Sequence, residues 1–177
     1  MAPHIITLII LMVLNGAEQK KFTVLFDRIE YKSNYKHFKL AADLSEDNVI
    51  NMTIIVTKPI DVASSRLEVT VVQFLQYRNL SVLNGTFQFC QMKANRDREF
   101  FRKIFTDIFN KFSNLPLKCP IMPGSYYFEN FTLRNLELPS YTRDTKYRSK
   151  YQMFIKGNNS KLVSFAYFIC YGSIRSE

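Results

Sequence analysis

The stretch from Cys90 to Pro120, CQMKANRDREFFRKIFTDIFNKFSNLPLKCP, limits the folds open to this chain more than any other. Phe100, Phe101, Ile104, Phe105, Ile108, Phe109 and Phe112 recur at i, i+1, i+4, i+5, i+8, i+9 and i+12. At about 3.6 residues per turn that spacing gathers all seven on one side of a helix. Arg98, Arg102, Lys103, Asp107 and Lys111 fall on the other side. The spacing predicts one amphipathic helix at about 96–113, bracketed by Cys90 and Cys119. A stripe this aromatic has to be covered by a core, by a membrane or by a ligand.

The remainder reads as strand and turn. Apolar and polar residues alternate through 21–31, 34–44 and 66–78, and a β-branched run fills 48–57 before Lys58-Pro59 stops it. Further strands are expected at 82–90, 125–133, 147–156 and 161–171, the last two joined by the hairpin signal GNNS at 157–160. Asn84-Gly85 is a possible tight turn, and Pro123-Gly124 and Leu138-Pro139 punctuate. Short strands at regular spacing predict a mainly β domain, an antiparallel, immunoglobulin-like β-sandwich or β-cup carrying the helix as a single insertion. No repeat, low-complexity tract or linker divides residues 18–177.

The leading residues point to secretion. Ten apolar residues at 5–14 are too few to span a bilayer, and Asn15-Gly16-Ala17 then gives way to a polar run, so 1–17 has the layout of a signal peptide. Its n-region lacks Lys and Arg; the plainer alternative is a buried N-terminal strand. Asn-x-Ser/Thr sequons at Asn51, Asn79, Asn84, Asn130 and Asn158 exceed chance and suit a glycosylated extracellular protein. In an oxidising compartment Cys90 and Cys119, which flank the helix, are the expected disulfide, worth about 3–4 kcal/mol on the chain-entropy model. Cys170 is left over in the apolar run LVSFAYFICY, as a buried thiol, a link to a second chain, or an alternative partner for one of the other two.

The net charge of +9 clusters in 93–118 and 143–150, as a solvated surface or a contact for anionic lipid head groups. Secretion and the lack of a zinc-finger, RNP-type or helix-turn-helix pattern argue against nucleic acid. Catalytic signals are sparse. Past residue 17 the only imidazole is His37, no nucleophile elbow or zinc spacing occurs, and five glycines form no phosphate loop. Asp61, Glu68, Glu129 and Glu137 are scattered. The expectation is a binding protein without enzymatic activity or cofactor.

The order of several motifs resembles a large family of secreted insect proteins of unknown function that includes the CheB chemosensory proteins. These motifs are the FQFC strand end at Phe87–Cys90, the Phe-rich helix, Cys119-Pro120, Gly124-x-Tyr126-x-x-x-Asn130 and Leu138-Pro139. The resemblance spans roughly residues 20–174. That family is in turn similar to the ML lipid-recognition superfamily, which includes the ganglioside activator protein. The resemblance implies a β-cup with an apolar cavity between its sheets and a lipid or other hydrophobic ligand. ML proteins often tie their first strand to a late one by a disulfide; this chain has no cysteine before Cys90, so that bond has no counterpart here. Sixteen Phe and ten Tyr without a Trp suit both a core and a ligand wall. Phe100, Phe101, Ile104, Phe105, Ile108 and Phe109 are the cavity candidates, either capping the core or closing a cavity mouth. At about 0.8 kcal/mol per buried methylene, a C10 tail would support micromolar affinity. The competing expectations are an extracellular interaction module or co-receptor without a small ligand, and a helix that lies on an anionic membrane.

Overall fold

Alternating side chains become nine strands among the described residues, which are 19–73, 78–91, 100–139 and 144–176 of a computed structural model. The strands are β1 (Gln19–Ser33), β2 (Phe38–Leu44), β3 (Ile50–Val56), β4 (Ser64–Gln73), β5 (Arg78–Phe87), β6 (Gly124–Phe131), β7 (Leu133–Pro139), β8 (Thr145–Lys156) and β9 (Leu162–Ser176). The α-helix α1 (Phe100–Phe112) lies between β5 and β6. One sheet runs β5-β4-β8-β9-β1-β7 and the other β2-β3-β6, with every strand pair antiparallel. The architecture is the expected mainly β sandwich or cup with one helix. The expected signal peptide at 1–17, and residues 96–99 of the expected helix, lie outside the described residues.

Three local readings change. Asn84-Gly85 is no turn: it sits inside β5, where Asn84 pairs with Glu68 and Gly85 with Leu67. Residues 133–139, unassigned in the sequence, form β7 and pair with the start of β1. Pro139 ends an edge strand, where a missing N–H removes no ladder bond on the open side. The FQFC segment leaves the sheet after Phe87 and closes as a single 3₁₀ turn, Phe89–Gln91.

The long strand β1 holds the sandwich together. It pairs with β9 over most of its length, with a bulge between Phe26 and Arg28. Gly172 of β9 lies against that bulge: a Cβ there would stand 1.9 Å from the Leu25 carbonyl oxygen and 2.9 Å from the Tyr147 ring. No other residue type fits. On the opposite side Asn48, in the β2–β3 turn, adopts a left-handed φ of 64°. Its amide accepts from Phe26 N–H at 3.0 Å and donates to the Phe26 carbonyl at 2.9 Å, so one side chain takes the place of a neighbouring strand. Past Ser33, the Asn34 N–H donates to the Phe165 carbonyl and the Ser33 hydroxyl to the Phe38 carbonyl, carrying the chain into the small sheet.

Two apolar clusters fill the space between the sheets. One surrounds Val24, Phe26, Ile50, Tyr147 and Cys170. The other surrounds Phe38, Val56, Ile60, Val62, Phe89, Leu115, Ile121 and Phe165. Ile60 and Ile121 are joined by reciprocal backbone hydrogen bonds of 2.9 and 2.8 Å, which lock the loops after β3 and before β6 together. Replacing Asn48 with Ala removes both bonds to Phe26 and strains the left-handed backbone. The expected loss is about 3 kcal/mol, read as a lower urea midpoint at unchanged slope. Asn48→Gly relieves the backbone strain and should lose less; equal losses would show that the backbone conformation contributes nothing.

Candidate functional site

The apolar stripe of α1 meets the sandwich at its open side. The helix is held there from both flanks. Before it, Cys90 is bonded to Cys119, with Cα atoms 5.2 Å apart, so the expected disulfide is present. After it, Ser113 Oγ donates to the Tyr127 carbonyl at 2.7 Å and accepts from the Leu115 N–H at 3.0 Å. Asn114 Oδ1 accepts from the Tyr127 N–H at 2.8 Å. These bonds cover the outer edge of β6, which would otherwise present unpaired backbone groups.

Phe105 and Phe109, one turn apart, form the centre of an aromatic roof. Their ring centroids lie 5.1 Å apart. Phe105 also meets Phe87 at 6.2 Å and Tyr151 at 5.2 Å; Phe109 meets Phe89 at 6.2 Å and Phe128 at 5.5 Å. Phe112 closes the row against Phe131 at 5.3 Å. Each such pair contributes about 0.5–1.5 kcal/mol beyond burial. Lys103 and Lys111 are exposed on the other side, as the amphipathic pattern requires. Thr106 departs from that pattern, because it is fully buried although it lies outside the aromatic stripe.

Beneath the roof, between the sheets, lies a cavity of about 160 Å³. Phe105, Ile108 and Phe109 line it from α1, so three of the six helix candidates reach it. The side chains of Phe100, Phe101 and Ile104 lie outside the description. The remaining walls come from the sheets: Phe38, Leu40, Met52 and Ile54 from β2 and β3, and Leu67, Tyr151, Met153, Phe168 and Cys170 from β4, β8 and β9. These sheet residues were not singled out in the sequence. Which face a strand residue occupies depends on register, which apolar alternation along a strand does not fix.

Among the described residues no Asp, Glu, Lys, Arg or His lines the cavity. Its polar atoms are few. Tyr151 Oη, on β8, is buried without a hydrogen bond of good geometry, as is Ser65 Oγ on the adjacent β4, which does not line the cavity. Burial pushes the Tyr151 pKa above its ordinary value, with the Ser65 hydroxyl pulling the other way. Ser149 stands opposite Cys170 in register. Cys170 is a buried free thiol, and burial pushes it up to about 12, against a hydrogen bond from Ser149.

The other sequence candidates lie elsewhere. His37 is not on the cavity wall; it meets Thr57 Oγ1 at 3.1 Å, and desolvation, then Lys58 and Lys36, lower its pKa. Among the described residues Asp61, Cys90 and Cys119 form the one group with metal-ligand spacing, but both sulfurs are spent in the disulfide. Asn84 and Asn130 are exposed. Asn51 is half-buried, and its Oδ1 accepts from the Asn130 N–H at 3.0 Å, so two sequons are neighbours across β3 and β6. Asn79 lies in β5 and Asn158 in the turn Asn158–Ser160. On the outer face of the large sheet Arg28 bonds Glu30 at 3.0 Å and covers the Tyr171 ring, and Arg148 meets Glu68 at 3.7 Å. That part of the basic charge is paired at the surface.

Residues 67–149, from β4 into β8, match the family described as Protein of unknown function (DUF1091). The matched stretch contains the disulfide, α1 and β6. No curated protein matches the chain significantly.

Two measurements test the geometry of the site. Phe105→Ala should cost about 2–3 kcal/mol, less than the ~3–5 kcal/mol of truncating a fully buried ring such as Phe89, because Phe105 is only partly enclosed. Denaturant midpoints of the two variants give the comparison. Since the thiolate is the reactive form, a thiol this high should stay unlabelled by iodoacetamide at pH 8 while the protein is folded. Unfolding without reductant should release one reactive thiol per chain, read by mass.

Proposed function

We propose that this protein is a secreted, non-enzymatic binder of a small hydrophobic ligand, held between the sheets beneath α1. The observation that carries the reading is the cavity of about 160 Å³ with no charged side chain among the described residues of its wall. A void of roughly 150 Å³ with an apolar lining stays dry and takes up benzene or xenon. A water-filled alternative would need several polar partners, and this wall offers few.

The volume also bounds the ligand. In this conformation the cavity accepts about six carbon atoms, by comparison with benzene. At ~0.8 kcal/mol per carbon group, that is about 5 kcal/mol of gross transfer energy, which supports millimolar rather than micromolar binding. The C10 tail expected from the sequence therefore does not fit at rest; it requires Phe105 and Phe109 to turn aside or α1 to lift. An aromatic roof that is only partly enclosed suits such a movement.

The resemblance to the ML lipid-recognition superfamily, and within the insect family to the CheB proteins, supports a lipid-like signal and a chemosensory setting. The disulfide Cys90–Cys119 and the exposed sequons Asn84 and Asn130 support a secreted glycoprotein. An extracellular receptor or an anionic membrane surface is the natural acceptor for a delivered ligand, with exposed Lys103 and Lys111 on α1 available to it. Nucleic acid has no role in this reading.

Native mass spectrometry of the secreted protein, followed by NMR titration with benzene, tests the proposal. A co-purifying lipid, or shifts centred on Phe105, Met153 and Phe168, is expected. A folded protein that carries no lipid and takes up no benzene at saturation belongs instead to a purely protein-binding module.

A further inference from the structure

Among the described residues of the cavity wall, Tyr151 carries a buried hydroxyl that makes no hydrogen bond of good geometry. Ser113 Oγ is bonded to the Tyr127 carbonyl and the Leu115 N–H. Ser149 faces the Cys170 thiol in register across β8 and β9. Tyr151 sits under the roof, its ring 5.2 Å from Phe105 and 6.4 Å from Phe109, and its buried hydroxyl makes no hydrogen bond of good geometry; the Ser65 hydroxyl is near enough to act on it but not to satisfy it. Its register partner on β4 is Leu67, and two residues before that Ser65 is likewise fully buried with an unpartnered Oγ. Ser65 does not line the cavity, and its loose contact with Tyr151 leaves hydrogen-bonding capacity on Tyr151 Oη unused, at the cost of the bonds that hydroxyl would make to water.

We infer that the cavity selects a neutral ligand bearing one hydrogen-bonding oxygen, a ketone, aldehyde, ester or alcohol on a short hydrocarbon, with Tyr151 Oη as its anchor. This rests on the cavity being a ligand site. The hydrocarbon part meets Leu67, Phe105, Phe109 and Met153, and the oxygen takes the hydrogen bond that Tyr151 lacks. A carboxylate is excluded by the same wall. With no Lys, Arg or His among the described wall residues to pair with it, an ionised acid would enter as an isolated buried charge. A plain hydrocarbon enters but leaves Tyr151 unsatisfied, so it gains from burial alone.

The test compares wild type and Tyr151→Phe with three six-carbon probes, 2-hexanone, hexane and hexanoate, titrated at pH 7.5 and followed by NMR. Tyr151→Phe should weaken 2-hexanone about tenfold, the worth of one hydrogen bond, and leave hexane unchanged or slightly tighter. Hexanoate should bind neither protein. Without ligand, Tyr151→Phe should melt at the same temperature or higher, because an unsatisfied hydroxyl has been removed. The inference is overturned if the variant weakens hexane and 2-hexanone alike, if hexanoate binds as well as 2-hexanone, or if the ligand-free variant is destabilised. The last result would mean that Tyr151 is already paired within the protein. Failure of all three probes on a folded wild-type protein is a separate outcome: it removes the cavity as a ligand site, and this inference with it.

Discussion

A six-stranded sheet facing a three-stranded one cannot be covered by it, and the rest of this structure follows from that mismatch. The large sheet exposes an apolar face wider than β2, β3 and β6 can bury, and apolar area left in water costs about 25 cal/mol per Å². The aromatic stripe of α1 covers the remainder. This is why a helix built almost wholly of Phe and Ile on one side occurs in a chain that is otherwise strand and turn. It also explains the fastenings on both flanks of the helix. A helix of thirteen residues is marginal by itself, and the disulfide and the Ser113–Asn114 bonds to β6 keep it on the sheet.

The cavity belongs to the same geometry. Two sheets can interdigitate closely, but a third surface arriving at an angle leaves a gap where the three meet. Met52 and Ile54 come from one sheet, Tyr151 and Phe168 from the other, and Phe105 and Phe109 from the helix. The gap stays apolar because each contributing face is the buried side of an amphipathic element. Tyr151 departs from that rule, since its ring is packed as core while its hydroxyl is buried without a hydrogen bond of good geometry.

Much of this was legible in the sequence. The helix, the pairing of Cys90 with Cys119 and most strands follow from periodicity and spacing, because amphipathic patterns record which side is buried. What stayed hidden depended on partners distant in sequence. β7 carries a proline that reads as a break until its position at a sheet edge is known. Asn84-Gly85 has turn chemistry, yet pairing with Leu67 and Glu68 draws it into a strand. Leu40, Leu67 and Phe168 could not be assigned to the cavity, because a shift of one residue in register would turn each outward. Gly172 gave no sign of its role, which is set by the Leu25 carbonyl on another strand.

The stitching of α1 to β6 also bears on how the roof could move. Ser113 and Asn114 are bonded to β6 directly after the helix, whereas the disulfide before it lies ten residues from Phe100, so a swing would pivot about Ser113, and displacement along a lever grows with distance from its fulcrum. At about 1.5 Å per residue, Phe112 is almost at the pivot, Phe109 about 6 Å along the arm and Phe105 about 12 Å. A small swing that leaves Phe112 against Phe131 would therefore carry Phe105 about twice as far as Phe109. Any such swing would open the cavity chiefly at the Phe105 end, like the moving jaw of a caliper.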